Sequence, residues 1–274
     1  MNFVTVKIGE KYTSTYVNRV FEMCQKHVNF PFTFCCYTDD PTGINPLIEI
    51  IPFIDHGLET IVHNKLFLFS KEFEKLLCSS GPRIFLDLDV VIRDNIDTLI
   101  EYAFTTKERL SVINASWKQY THKELQSNVN LHTINSSCMV WNPYENTHIW
   151  NHFIEGYSTF STKYDKGMDA YLVHEHNIFG KLPEHLFCSY LHGVPKKYVR
   201  LVKTFDQYKI IQRSFPIVLF NGPTTEEDLT AFVESNYTTS FFDTPSMFAE
   251  DKQQREEAIK IAERQLYERV ISLR

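Results

Sequence analysis

Arg83-Ile-Phe-Leu-Asp-Leu-Asp-Val-Val-Ile92 decides the reading of this chain, because two carboxylates interrupt an otherwise apolar run. Unpaired ionised groups are costly to bury inside such a run. Ile84–Leu86 is therefore predicted as a buried strand that delivers Asp87 and Asp89 to a cleft at its end. Residues two apart in an extended segment project to the same side, so the two acids can converge on one ligand. Two hard oxygen donors suit Mg²⁺ or Mn²⁺. In open α/β sheets ligands bind beyond the carboxyl ends of the strands, which is where this motif falls.

Upstream, strand-like runs at Phe3–Ile8, Phe32–Tyr37 and Leu47–Ile51 alternate with helical patterns at Ser14–His27 and from Thr60 to Leu77. Such alternation predicts βαβ units and a largely parallel sheet. Downstream, Leu110–Asn114, Thr133–Trp141 and Phe215–Phe220 read as strands, and Tyr144–Tyr157 and Gly167–His176 as helices. The expected organisation is one α/β domain over residues 1–245 with a C-terminal amphipathic helix in 246–274. In that helix Ile259, Ala262, Leu266, Val270 and Leu273 follow three-and-four spacing. It either packs back on the domain or serves a homo-oligomer or partner contact; four turns are too few to read as a coiled coil.

The 274 residues carry a formal net charge of −6, which argues against a general nucleic-acid binder. A nucleotide substrate stays compatible, since a local metal ion can neutralise a diphosphate. The six cysteines include no CxxC pair and read as reduced core residues. The N-terminus runs straight into a strand and no stretch approaches the ~20 apolar residues of a membrane span, so a cytoplasmic location is expected. No Gly-rich phosphate loop or Ser-His-Asp signature appears, and His174-Glu-His176 is not a zinc-protease motif.

Two chemistries use the central signature. Asp87-Leu-Asp-Val-Val91 matches the DxDx[TV] pattern of haloacid-dehalogenase-type phosphatases, in which the first acid is a nucleophile. A DxD pair also holds a divalent ion against the diphosphate of a nucleotide sugar. The phosphatase motif usually opens its domain, whereas roughly 80 residues of strand-helix pattern precede it here. A later acidic motif after a strand is also missing, because Asp165-Lys-Gly-Met-Asp169 follows a polar stretch. Sugar transfer is the favoured reading; a catalytically silent sugar-nucleotide-binding protein is the non-enzymatic alternative.

On these residues the chain resembles the GT-A glycosyltransferases, in particular family 8 (the glycogenin and bacterial galactosyltransferase type) and related bacterial and phage sequences. The resemblance runs from residue 3 to about 225 and implies a GT-A-like, Rossmann-like α/β fold with a mixed, largely parallel central sheet. It implies a retaining hexosyltransferase that uses a nucleotide-sugar donor, a UDP-sugar by preference, with Mn²⁺ or Mg²⁺. Val4-Thr-Val-Lys…Tyr12 is similar to that family's first strand, so Thr5 would line the base pocket and Tyr12 would stack on uracil. Asn64-Lys-Leu66 is similar to the family's Lys-Leu pair, with Lys65 facing the donor. Arg93-Asp-Asn-Ile-Asp-Thr-Leu99 looks like the segment leading away from the site. Ile134-Asn-Ser-Ser-Cys-Met-Val-Trp-Asn142 carries Asn135 and Ser136 as sugar-pocket residues, and Asp169 would grip the sugar hydroxyls, with Asp165 as fallback. Ile217-Val-Leu-Phe-Asn-Gly-Pro-Thr-Thr225 keeps the family's strand and Gly222, but Asn221 stands where a metal-binding His is expected and the following Lys is missing. His192, in Leu191-His-Gly-Val-Pro-Lys-Lys197, is the second candidate for that ligand. Acceptors sit on variable loops such as Lys118–His132, and glycan, lipid, protein and modified nucleic acid are all compatible.

Overall fold

The computed structural model describes residues 1–59, 61–77, 79–117, 134–165, 167–177, 179–190, 193–195, 198 and 214–220. A seven-stranded sheet has the order β3-β2-β1-β4-β7-β6-β8. Its strands are β1 Asn2–Lys7, β2 Thr33–Thr38, β3 Glu49–Pro52, β4 Arg83–Leu86, β6 Leu110–Asn114, β7 Ile134–Trp141 and β8 Gly180–Lys181. β1 pairs in parallel with β2 and β4, β2 with β3, and β6 with β8, while β7 runs antiparallel between β4 and β6. The sheet is thus largely parallel, as the alternating strand and helix patterns predict, and mixed, as the family resemblance implies. A second, three-stranded sheet has the order β5-β10-β9, built from Val90–Ile92, Ile217–Leu219 and Phe187–Ser189.

Both faces of the large sheet are buried, which explains why its strands read as nearly continuous apolar runs. Phe3, Ile84, Leu86, Cys138 and Val140 face one core with α1 (Ser14–His27), α3 (Asp97–Thr105) and the small sheet. Val4, Phe85, Met139 and Trp141 face the other, against the 3₁₀ segment Ile61–Phe69 and the later helices. The alternation along each strand follows the period of two. Among the described residues the five cysteines Cys24, Cys35, Cys36, Cys138 and Cys188 are buried and free, and no helix is long and apolar enough to cross a membrane.

Three predicted helices take a different form. The pattern from Thr60 to Leu77 splits into the 3₁₀ segment and α2, Lys71–Leu76, because Ser70 caps a new start by accepting from Phe73 N at 2.8 Å. The 3₁₀ segment buries Leu66, Phe67, Leu68 and Phe69 in succession, so it has no single apolar stripe to impose α geometry. The Tyr144–Tyr157 helix begins only at Thr147, after Tyr144 adopts φ 66°, and α4 (Thr147–Glu155) stops at Gly156. A Cβ there would collide with the Phe160 ring of α5 (Tyr157–Lys163), so the next helix packs against a bare backbone. Gly167–His176 resolves into α6, Met168–Tyr171, and a π turn, Leu172–His176, closed by Asn177 in the left-handed region. In turn, α3 occupies ground where the sequence suggested only a connecting segment. The 246–274 helix lies outside the described residues.

Between β7 and β8 in the chain, His148, His152 and His176 cluster around Tyr171, with ring centroids 5.4 Å (His148–His176) and 5.5 Å (His152–His176) apart. The Tyr171 hydroxyl donates to Ile149 O, with His176 Nε2 at 3.1 Å and His152 Nδ1 at 3.3 Å. Burial first, then His148 and His152, lowers the His176 pKa to about 4, with Glu175 opposing, and His148 is lowered by burial and Arg109. An unfolded His titrates near 6.5. The unfolded chain therefore binds the extra proton first, and stability is lost as pH falls from about 6.5 towards 4. His176→Gln is expected to flatten that part of the melting-temperature profile relative to the native protein; parallel profiles over this window would show that His176 does not contribute.

Candidate functional site

β4 ends at Leu86, so Asp87-Leu88-Asp89 is a turn between the two sheets rather than the extended segment predicted from sequence. Asp87 N donates to Ser137 O of β7 at 2.9 Å, anchoring it to the large sheet. Asp89 O accepts from Phe220 N at 3.0 Å, anchoring it to the end of β10 in the small sheet. Between them Leu88 is buried in the core. The turn hangs from both sheets, with its apolar middle residue pulled inward and the Asp87 charge near enough to act on Asp89.

The large sheet bends to meet them. The β6–β7 ladder jumps from Val112–Met139 to Ile113–Asn135, which leaves Ser136, Ser137 and Cys138 without β6 partners. Bulges of this kind re-aim backbone groups beside active sites. Here Ser136 O accepts from Lys65 Nζ at 2.9 Å, and Ser136 N donates to Asp169 Oδ1 at 3.0 Å. Lys65 Nζ also donates to Asp87 Oδ1 at 2.8 Å and lies 4.2 Å above the Phe85 ring. Asp169 reaches the bulge because Gly167, at φ 137°, turns the chain into α6, a conformation that favours glycine. Asp165, the fallback acid, is exposed.

The Tyr12 hydroxyl donates to Asp89 Oδ2 at 3.2 Å and accepts from Lys11 Nζ at 2.8 Å. Burial, reinforced by Asp89 and Asp87, raises the Tyr12 pKa far above the phenol range, so it stays a donor. Asp89 keeps a solvent-facing edge, yet the protein packed around it, and then the Asp87 charge, raise its pKa well above the carboxylate range. A carboxylate whose ionised form is disfavoured beside a second carboxylate gains from a hard cation shared with it. Asp87 and Asp89 therefore fit Mg²⁺ or Mn²⁺. Among the described residues no third His, Cys, Asp or Glu joins them. Asn221, Gly222 and His192 lie outside the described residues.

Six residues named from sequence thus fall into two hydrogen-bonded sets joined by the Asp87-Leu88-Asp89 turn: Tyr12 with Asp89, and Lys65 with Asp87, Ser136 and Asp169. Two others do not join them. Asn135 is buried and spends its Oδ1 on Ser137 N at 2.9 Å, stabilising the bulge. Thr5 is fully buried, and its Oγ1 has no hydrogen-bond partner. Lys11 and Phe85 were not foreseen. Lys11 carried no signal beyond its place next to Tyr12, and Phe85 looked like an ordinary strand residue.

No family model matches the sequence, and no curated protein matches it. Among solved structures, the chain is similar to the galactosyltransferase LgtC in complex with donor and acceptor sugar analogs. The TM-score is 0.56 at 13% identity, covering 93% of this chain and 99% of that one. An active-site mutant of LgtC gives a TM-score of 0.54 at 12% identity, covering 94% and 100% respectively. At this identity the likeness shows the fold, which is GT-A-like.

Proposed function

We propose that this chain is a metal-dependent glycosyltransferase that moves a sugar, a hexose in the finer reading, from a nucleotide-sugar donor to an acceptor hydroxyl. The observation that carries the proposal is the Asp87–Asp89 pair at the junction of the two sheets, beyond the carboxyl end of β4, in a fold shared with a sugar-transferring enzyme. Asp87 and Asp89, with the Asn221 oxygen as candidate third ligand, would hold Mn²⁺ or Mg²⁺. Bound there, the ion supplies Lewis-acid stabilisation of the departing diphosphate.

The chain's own residues supply the rest. Tyr12 offers a ring face for a nucleobase, uracil in this reading, while its hydroxyl holds Asp89 in place. Lys65 contributes a positive charge beside the diphosphate. Asp169 and the Ser136 backbone, already bonded to one another, orient the sugar hydroxyls. The acceptor oxygen then bonds to C1 as the C1–O bond to the diphosphate breaks, and the acceptor's hydroxyl proton passes to the departing diphosphate. Retention of configuration and the UDP-sugar donor follow the resemblance to family 8 and belong to the same proposal. The shared fold favours this chemistry over the aspartyl-phosphate route that Asp87-Leu-Asp-Val-Val91 also matches.

The test is the melting temperature with UDP, GDP, CMP and their sugars, each with and without Mn²⁺. One nucleotide should stabilise the protein in a metal-dependent way, by about 2.7 kcal/mol at a hundredfold excess over Kd. No shift with any nucleotide would sink the donor site. A shift without turnover of the matching sugar nucleotide in the presence of candidate acceptor glycans, lipids and proteins would identify a silent binder instead.

A further inference from the structure

Each central acid has a lysine in attendance. Lys65 donates to Asp87 Oδ1 at 2.8 Å and to Ser136 O at 2.9 Å, with its side chain 13% exposed against 31% for Asp87. Lys11 reaches Asp89 indirectly, through the Tyr12 hydroxyl. Two carboxylates are thus met by two ammonium groups, and only Lys65 contacts a carboxylate oxygen directly. An ammonium has three donors and needs acceptors in a confined site. Around Lys65 these are Asp87 Oδ1, Ser136 O and, at 3.5 Å, Ser136 Oγ. A divalent cation held by Asp87 would draw on the same carboxylate as the ammonium.

We propose that Lys65 is an internal counter-ion that a divalent cation must displace from Asp87 Oδ1, and that the displaced ammonium is taken up by the donor's diphosphate. Cation and nucleoside diphosphate then bind cooperatively through Lys65. The inference rests on the donor-site reading above. Its physical basis is charge balance. A divalent cation alone gains Asp87 but loses the Lys65–Asp87 pair and faces an unneutralised ammonium. With a diphosphate present, the ammonium regains anionic acceptors, because phosphate oxygens replace the carboxylate oxygen it gave up. Coupling of this kind is reciprocal: the diphosphate must improve cation affinity by the factor by which the cation improves diphosphate affinity.

A diphosphate binds Mn²⁺ in its own right, so coupling by itself does not identify Lys65; the change in coupling on replacing Lys65 does. Calorimetric titration of the full chain with Mn²⁺ alone, UDP alone, and each in the presence of the other gives the complete cycle. It is run on the native protein and on Lys65→Met, with Lys65→Gln as a second neutral variant should the first fold poorly. The expected result is Mn²⁺ binding alone about tenfold tighter in the variant, and Mn²⁺ binding with UDP present about tenfold weaker. The coupling factor then falls about a hundredfold. Unchanged or weaker binding of Mn²⁺ alone, with native coupling, would overturn the role of Lys65 while leaving the donor site standing. Absence of Mn²⁺ and UDP binding in the native protein and both variants would overturn the donor site and this proposal with it.

Discussion

Exchanging Asp87 and Asp89 together for alanine is expected to lower kcat/KM for sugar transfer by on the order of 10³-fold or more. It should also abolish Mn²⁺-dependent stabilisation, while the fold survives. The turn itself is held by other groups, the Asp87 N–H, the Asp89 carbonyl and the buried Leu88 side chain, and the side-chain bonds lost are one from Lys65 and one from Tyr12. Alanine keeps both backbone bonds. Asp89 even works against the fold at neutral pH. Its pKa is raised in the folded state, so its ionised form is disfavoured there, and stability falls as pH rises above the carboxylate range of the unfolded chain. Asp89→Asn should therefore raise the melting temperature of the cation-free protein at neutral pH while removing activity. Near-native turnover in the double variant would refute the mechanism.

Glu74→Ala carries the largest expected stability effect, about 3–5 kcal/mol, a large share of the 5–15 kcal/mol typical of a whole domain. Arg83, the first residue of the deciding strand, is almost wholly buried and bonds Glu74 through Nε at 3.0 Å and a terminal nitrogen at 2.9 Å. A second terminal nitrogen donates to Ser79 O and Gly81 O, each at 2.7 Å, and Trp141 Nε1 donates to the other Glu74 oxygen at 2.8 Å. Removing Glu74 would leave a buried guanidinium and a buried indole N–H short of acceptors. Taking out both charges, as Glu74→Leu with Arg83→Met, removes the uncompensated charge and should recover much of the loss. Urea denaturation of the single and double variants decides it: a single variant within 1 kcal/mol of native would show the network to be dispensable.

The sheet was legible because its strands are apolar on both faces, so Phe3–Ile8 and Ile84–Leu86 stood out without any periodicity test. The acids were legible for the complementary reason, as charge in an apolar run. Their geometry was not. Sequence gives no sign that the chain leaves one sheet at Leu86 and enters another at Val90, since apolar residues continue on both sides. The bulge at Ser136–Cys138 was hidden too, because a strand that skips partners keeps the composition of one that does not. Lys65 and Asp169 came from resemblance to a family; nothing local distinguishes either from an ordinary surface residue. The Glu74–Arg83 pair escaped because two opposite charges nine residues apart look solvated until a fold closes around them.

The seam at Asp87-Leu88-Asp89 has a mechanical consequence. One acid is fastened to the large sheet through Ser137 and the other to the small sheet through Phe220, with a single buried residue as the joint. So short a span has little slack, and sliding of one sheet against the other shifts the two aspartate backbones relative to each other. The site is in effect a strain gauge across the joint. A ligand that grips both acids is also a rivet between the sheets, so its hold on the protein and the rigidity of the small sheet rise and fall together.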